Sequence, residues 1–594
     1  MRRNTIFLSI IITIIFTILH SQEADINQNN KAKWYNWALN KIIIKETEAS
    51  NHDETSRYFS YDYFAQYEGL KIRSISINKF DIFSNPQDST NLTIQKRFLQ
   101  AANYLHINTQ NFIIQNNILF KVGDEIDAYY FAESERILRR NNFIYEVAII
   151  VIPDSFNEFA DVYIYTKDVW SIRVKFKYNT ANDSGNLELS DINFLGTGSK
   201  LLLDIKKKPE YKRNYKLDAE YNFEKLFDKF GHGAVYYYSE TDIIHYGFGA
   251  NQFFIQPWIR WLGGINFNWV RYRTNIIEND TLSFKVPIHY RQQDLWAAYT
   301  FSSKEVSSLP GTFNHYILSN RLILTKYTDY PDDYYQYFKE NMFYLANFTF
   351  LRRSFYQNSY IFAFGKIEDI PVGLKIDLLA GSELKKIENK QYYGLSILIS
   401  DYNEIFGYNL YNLRLGSYHS SEGWENGLLD FQSLSFSDLK YFFKIKYRNF
   451  YSFRMSQSLH PIKKEDLITI NDKDGLRGFD AKYYGSKRIS FSIENDAFLP
   501  FSIFGFKTAF ITFADHALLA NKNQYITKQP LQQGYGFSLR FKNEQLVFST
   551  LQLTFAYYPK GTYHNVSDFR FYSEYDTFYQ FNKMNYKKPE IFKW

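Results

Sequence analysis

The most chemically pointed residues in this sequence are Leu476, Arg477, Gly478 and Phe479, inside the segment DGLRGFDAKYYGSK. A guanidinium presents a rigid planar fork of donors. In a wet enclosed space it can hold carboxylates through charge-assisted hydrogen bonds. Gly478 lets the backbone come close to a wall, and Phe479 supplies an apolar face to pack against it. This chemistry positions a loop; it does not turn over a substrate. A second cue is LSDINFLGTGSKL, where Asn193, Leu195, Gly196, Thr197 and Gly198 make a glycine-rich hairpin turn. Taken singly, both motifs are weak.

Reactive constellations are missing from the sequence. It contains no P-loop, no H-E-x-x-H and no G-x-S-x-G. The cysteine count of zero removes disulfides, thiolate metal sites and cysteine nucleophiles. His232, His245, His289 and His315 share no ligand spacing. The reading is therefore a protein that is not an enzyme, with no cofactor and no metal. With 69 basic against 63 acidic residues and no basic block, nucleic acid is not an expected partner.

The elements that must position these residues come next. The chain has 594 residues, enough for more than one domain, and 20% of them are aromatic, yet its mean hydropathy is only −0.39. After the N-terminus no apolar run reaches the length of about 18 residues that a membrane helix needs. Such numbers fit a transmembrane barrel, whose apolar outward residues alternate with polar inward ones. They also fit a large soluble β protein from an AT-rich genome, so composition leaves both open. Arg2 and Arg3 followed by the apolar run Thr5–Leu19 predict an export signal over residues 1–22, cleaved near Ser21 or Gln22.

Residues 23–68 read as a polar linker with one short helix around Trp34–Ile44. The segment 69–172 predicts a βααββ unit. Ile72, Ile75 and Ile77 are its first core positions, and Asp127 caps a helix that puts Tyr130, Phe131, Ser134, Ile137 and Leu138 on one face. Glu135 and Arg139 are spaced as an ion pair on a solvated face of that helix. Residues 173–577 are alternating segments separated by Gly, Asn, Asp, Ser and Pro, with GAVYYYSE and IIHYGFGANQFF as one hairpin. At about 25 residues per strand and loop they predict some 16 strands. Phe364–Gly373 (FGKIEDIPVG) reads as a turn between strands, and residues 578–594 as a tail beyond the last strand.

Together these features resemble the BamA/TamA superfamily of outer-membrane assembly factors, over residues from about 69 to 576. LFKVGDEID, ESERILRRNNFI and DVYIYTKDVWSI look like a POTRA domain, INFLGTG like the family's early barrel turn, and Leu476–Phe479 like its lumenal VRGF motif. The resemblance implies a mainly β fold: a transmembrane antiparallel β-barrel preceded by one α+β POTRA domain. It also implies that Arg477 is held inside the barrel by Glu494 and Asp515 on the next two strands. One departure is His516-Ala517 after Asp515, where the family carries a glycine. The implied location is the outer membrane, with the POTRA domain in the periplasm. The implied partners are outer-membrane lipids, unfolded or exported client proteins and accessory subunits. Alternatives are a two-partner-secretion transporter and a porin-like barrel.

Overall fold

A computed structural model describes residues 43–45, 60–80, 82, 104 and, with short breaks, 106–592. The expected export signal lies outside the described residues. The expected Trp34–Ile44 helix does so too except for its end. There Ile43–Lys45 is a strand, paired antiparallel with Phe501–Ile503.

The described residues between 60 and 168 build a small sheet covered by helices. Lys71–Phe80 pairs parallel with Phe159–Asp168, which pairs antiparallel with Ile144–Pro153, so the last strand in sequence lies in the middle. Helices Asn111–Asn117 and Ala128–Arg140 form the connection. A bulge between Ile72 and Ser74 brings Ile72 and Ile75 onto one face despite their odd spacing. The Asp127 carboxylate accepts from the amides of Tyr129 and Tyr130, satisfying donors that the first helical turn leaves open. Phe131, Ser134, Ile137 and Leu138 are buried, but Tyr130 is exposed. It turns away because Phe131, stacked on Phe120 at 3.9 Å, already fills the core position.

The rest of the described chain is a 22-stranded antiparallel sheet. From Ile172–Asn179 to Asp568–Glu574 each long strand pairs with the next in sequence. The expected hairpin of Gly231–Ser239 with Ile243–Gln252 is among these pairs. The expectation of some 16 strands is too low. Two of the strands, Ile43–Lys45 and Lys440–Phe442, are three-residue pieces. Tight connections such as Ser420 to Gly423 and Ile503 to Phe506 fit more strands into the same length than an average loop allows.

The sheet curls, so that the bend at 359–365 and the segment 584–592 lie on its concave face against strands far from them in its order. Lys542 reaches the carbonyl of Phe362, and Arg321 reaches that of Pro589. Its burial pattern is inverted relative to the small domain. The concave face buries Asp294, Ser319, Asn347, Thr349, Ser396, Asn412 and Asp430. Alternate positions on the same strands expose Leu318, Tyr344, Tyr393, Ile399, Tyr411 and Leu415. The tail does not trail outward either. Met584 and Tyr586 are fully buried, on the concave face.

Candidate functional site

The loop before strand Lys487–Ile503 turns back onto the concave face. The Leu476 amide donates to the Ile470 carbonyl at 2.9 Å, and that of Phe479 donates to the Leu476 carbonyl at 3.2 Å. Gly478 closes the turn at φ 70°, a left-handed conformation that suits glycine. Leu476 and Phe479 pack with Ile470, Phe513, Leu519 and Tyr558, and this apolar anchor seats the arginine between them.

Arg477 is 1% exposed. Its Nε and Nη2 donate to Asp515 at 2.9 and 3.0 Å, and its backbone amide donates to the same carboxylate at 3.1 Å. Its Nη1 donates to Glu494. The fork lies 4.2 Å over the ring of Phe513. Asp515 sits opposite Ser492 and Glu494 opposite Phe513, so the two acids are diagonal neighbours on one face of adjacent strands. The turn's carbonyls are held as well. Tyr558 donates to that of Arg477 at 2.5 Å and Arg570 to that of Gly478 at 2.9 Å. Four strands thus grip one turn.

Sequence reasoning missed that this cluster continues. Arg540 donates to Asp496 at 2.6 Å and lies 3.8 Å from Glu494. Charges therefore alternate from Asp515 through Arg477, Glu494 and Arg540 to Asp496. The available signal was the spacing of Glu494 and Asp496, two apart on a strand and so on one face.

The glycine-rich turn has different partners. Leu195, Gly196 and Gly198 have φ of 56°, 71° and 70°. The Asn193 side chain accepts from the Gly198 amide at 2.7 Å and donates to Thr109 Oγ1 at 2.9 Å. Thr109 in turn donates to Asp168 through its amide and its hydroxyl, at 2.6 and 2.9 Å. The Gln110 amide donates to the Gly196 carbonyl, and a Cβ on Gly196 would lie 2.5 Å from the Asn108 carbonyl oxygen. This turn docks the small domain onto the sheet, while Arg477 pins a loop to the later strands.

A third cluster was expected to be only a turn. The bend at 359–365 lies against the concave face. Glu368 accepts from the amides of Ile361, Phe362 and Ala363 at 2.9 to 3.1 Å. Arg448, fully buried, donates to the carbonyls of Ser359, Tyr360 and Ser437. Lys507 and Lys542 donate to those of Phe364 and Phe362. On the other side Lys366 donates to the Ile144 carbonyl of the small domain. Arg139 is not on a solvated face. It is buried and donates twice to Asp369 at 2.9 Å, with Glu135 farther off at 3.7 Å. Among the described residues no group of His, Cys, Asp and Glu is placed to hold a metal.

No family model matches the chain, and no curated protein does. Solved structures do. BamA from Haemophilus ducreyi, lacking POTRA domains 1–3, is similar at 12% identity over 84% of each chain, with a TM-score of 0.34. CdiB from Acinetobacter baumannii is similar at 11% identity over 96% of this chain and 97% of that one, with a TM-score of 0.33. CdiB from Escherichia coli is similar at 9% identity over 85% and 76%, with a TM-score of 0.40.

Proposed function

We propose that this chain is an outer-membrane β-barrel of the BamA/TamA type that inserts or exports client proteins. The observation that carries the reading is the inverted face of the large sheet, with polar and charged groups buried inside and aliphatic and aromatic groups outside. A bilayer accepts such a wall because it solvates the outward side chains, and strand pairing satisfies the backbone. The Arg477 cluster is its internal lock, the role that the resemblance of residues 476–479 implies.

In this reading residues 69–172 act as a POTRA-like domain in the periplasm. Ile144–Pro153 is an edge strand of the small sheet and carries Ile150 and Ile152 exposed. An extended client segment can add there as a further strand. The strands Ile172–Asn179 and Asp568–Glu574, at the two ends of the pairing run, form the seam where client strands template. Insertion then needs no nucleotide, because burying apolar surface in lipid and completing backbone pairs drive it.

Depleting the protein and comparing the outer-membrane proteome tests the proposal. A general fall in other barrel proteins is expected of an insertase, and loss of one secreted protein of an exporter. An unchanged proteome together with a steady single-channel conductance would leave only a porin-like barrel.

A further inference from the structure

The segment Met584–Phe592 is held by the concave wall along its whole length, by contacts of varied chemistry. At its start Met584 Sδ lies 3.4 Å from the Ser400 hydroxyl, and Arg353 donates to Asn585 Oδ1 at 2.7 Å. Tyr586 is sunk among Leu262, Trp296, Ile317 and Leu351. Lys588 donates to Asp294 at 2.6 Å. Arg321, itself fixed on Asp294 at 2.7 and 2.9 Å, donates to the backbone carbonyl of Pro589 at 2.7 Å. At the far end the Phe592 amide donates to the Tyr392 hydroxyl at 2.9 Å.

The last contact is shaped for a ring. Gly394 and Gly416 face each other across adjacent strands. A Cβ on Gly394 would meet the Phe592 ring at 3.1 Å, and one on Gly416 would first strike the Tyr392 hydroxyl and then the Phe592 ring at 3.3 Å. Two cross-strand glycines remove the side chains that would otherwise stand there, and strand interiors rarely tolerate glycine without a close approach of this kind. An acid for a lysine, a guanidinium for a backbone carbonyl and a slot for an aromatic ring are the parts of a peptide-recognition site. A cavity of about 1260 Å3 beside the segment, lined by residues of both the segment and the wall, leaves room for it to leave and another to enter.

We propose that this wall is a binding site for an extended peptide with a lysine and, four residues later, an aromatic residue. The chain's own C-terminal segment is its resident occupant and plugs the lumen until a client segment of the same chemistry displaces it. The client and the plug rest on the barrel proposed above; the peptide site does not. The wall is built by strands of the large sheet and not by the edge strand of the small domain, so it is a second place at which a client is handled.

The test uses the full chain, a chain lacking residues 584–594 and the full-length Gly394→Leu variant, each reconstituted in planar bilayers. Heat-modifiable migration on gels verifies folding. Deleting the segment should raise single-channel conductance several-fold. The Gly394→Leu variant, which fills the space of the Phe592 ring and crowds Tyr392 beside it while leaving the Lys588 and Pro589 contacts in place, should open the pore part of the time. A synthetic peptide of residues 583–594 should close the deleted chain saturably, and the same peptide with Lys588→Glu should do so at least tenfold more weakly. Unchanged conductance in both folded variants would overturn the plug. A deleted chain indifferent to the peptide, or equally closed by the Lys588→Glu peptide, would overturn the site. If depletion spares the outer-membrane proteome while the peptide still closes the pore, the proposed function fails and the peptide site stands.

Discussion

The small domain and the large sheet use the same residue types in opposite places. In the small domain Phe64, Phe131, Ile149, Val162 and Ile164 are buried together. In the large sheet Leu318, Leu378, Ile399 and Leu415 are exposed, while Asp294, Asn347, Arg477, Asp496 and Asp515 are buried. Alternation along strands is equally strong in both. On the function proposed above, what differs is the solvent each was built for. Water drives apolar groups inward in the first. A hydrocarbon surround would leave apolar groups outward in the second, and the polar groups must then find one another inside. The inner face of the large sheet thus carries buried ion pairs and charge-assisted hydrogen bonds in series, where the centre of the small domain is packed apolar side chains.

The largest way to break this contrast is Arg477→Ala. Removing one partner of a buried ion pair costs about 3–5 kcal/mol, because the remaining charge stays buried and unpaired. Here two carboxylates are stranded, Asp515 and Glu494, and the grip on the turn by Tyr558 and Arg570 loosens with them. The expected outcome is loss of heat-modifiable migration, or a matching fall in denaturation midpoint in vesicles. Arg477→Lys keeps the charge but not the fork, and should recover only part of the loss. Unchanged migration in Arg477→Ala would mean that the inner face does not depend on this cluster.

A matched pair of substitutions sharpens the contrast. Phe131→Ala in the small domain should cost about 3–5 kcal/mol, since it removes a stacked ring from a packed core. Leu318→Arg on the large sheet should cost about 2–4 kcal/mol in a bilayer if the residue sits near the midplane, and less toward the interfaces. In detergent, where water reaches the outer face more freely, the second penalty should shrink and the first should not. Denaturation in vesicles and in micelles checks both. Equal penalties in the two media for Leu318→Arg would contradict a lipid-facing wall.

Much of this was legible before the structure, and the parts that were not share a cause. Strand alternation, the Asp127 cap, the βααββ order and the pairing of Arg477 with Glu494 and Asp515 depend on local pattern or on a motif. The strand number was missed because tight hairpins at Ser420–Gly423 and Ile503–Phe506 leave little linker to count. Arg139 was missed because its partner, Asp369, is 230 positions away on another element. The tail was missed for the same reason, with Arg321 and Pro589 separated by 268 positions. Sequence pattern sets which face a residue takes. It does not set which distant segment comes to lie on that face, because a curled sheet offers many polar groups as partners.

The smallest expected effect concerns an ion pair that the small domain keeps on its water-facing side. Arg73 donates to Asp161 through Nε at 3.0 Å and through Nη2, and Ser74 adds a third bond at 2.6 Å. The guanidinium beside it lowers the Asp161 carboxyl from its ordinary value to about 2. A carboxyl depressed in the folded state stabilises it above the unfolded pKa of about 3.9, and the contribution is lost as pH falls through about 2. Arg73→Ala should therefore speed amide exchange in strand Lys71–Phe80 slightly at pH 6, and the difference from the unaltered chain should vanish as pH approaches 2. The pair is exposed to water and salt, so the effect should also fade at high ionic strength. In the sheet interior the same residue types are shielded from both, and the effect of Arg477→Ala should survive added salt. Equal salt sensitivity of the two substitutions would erase the distinction between a charge pair decorating a water-facing surface and one that holds a wall together from inside.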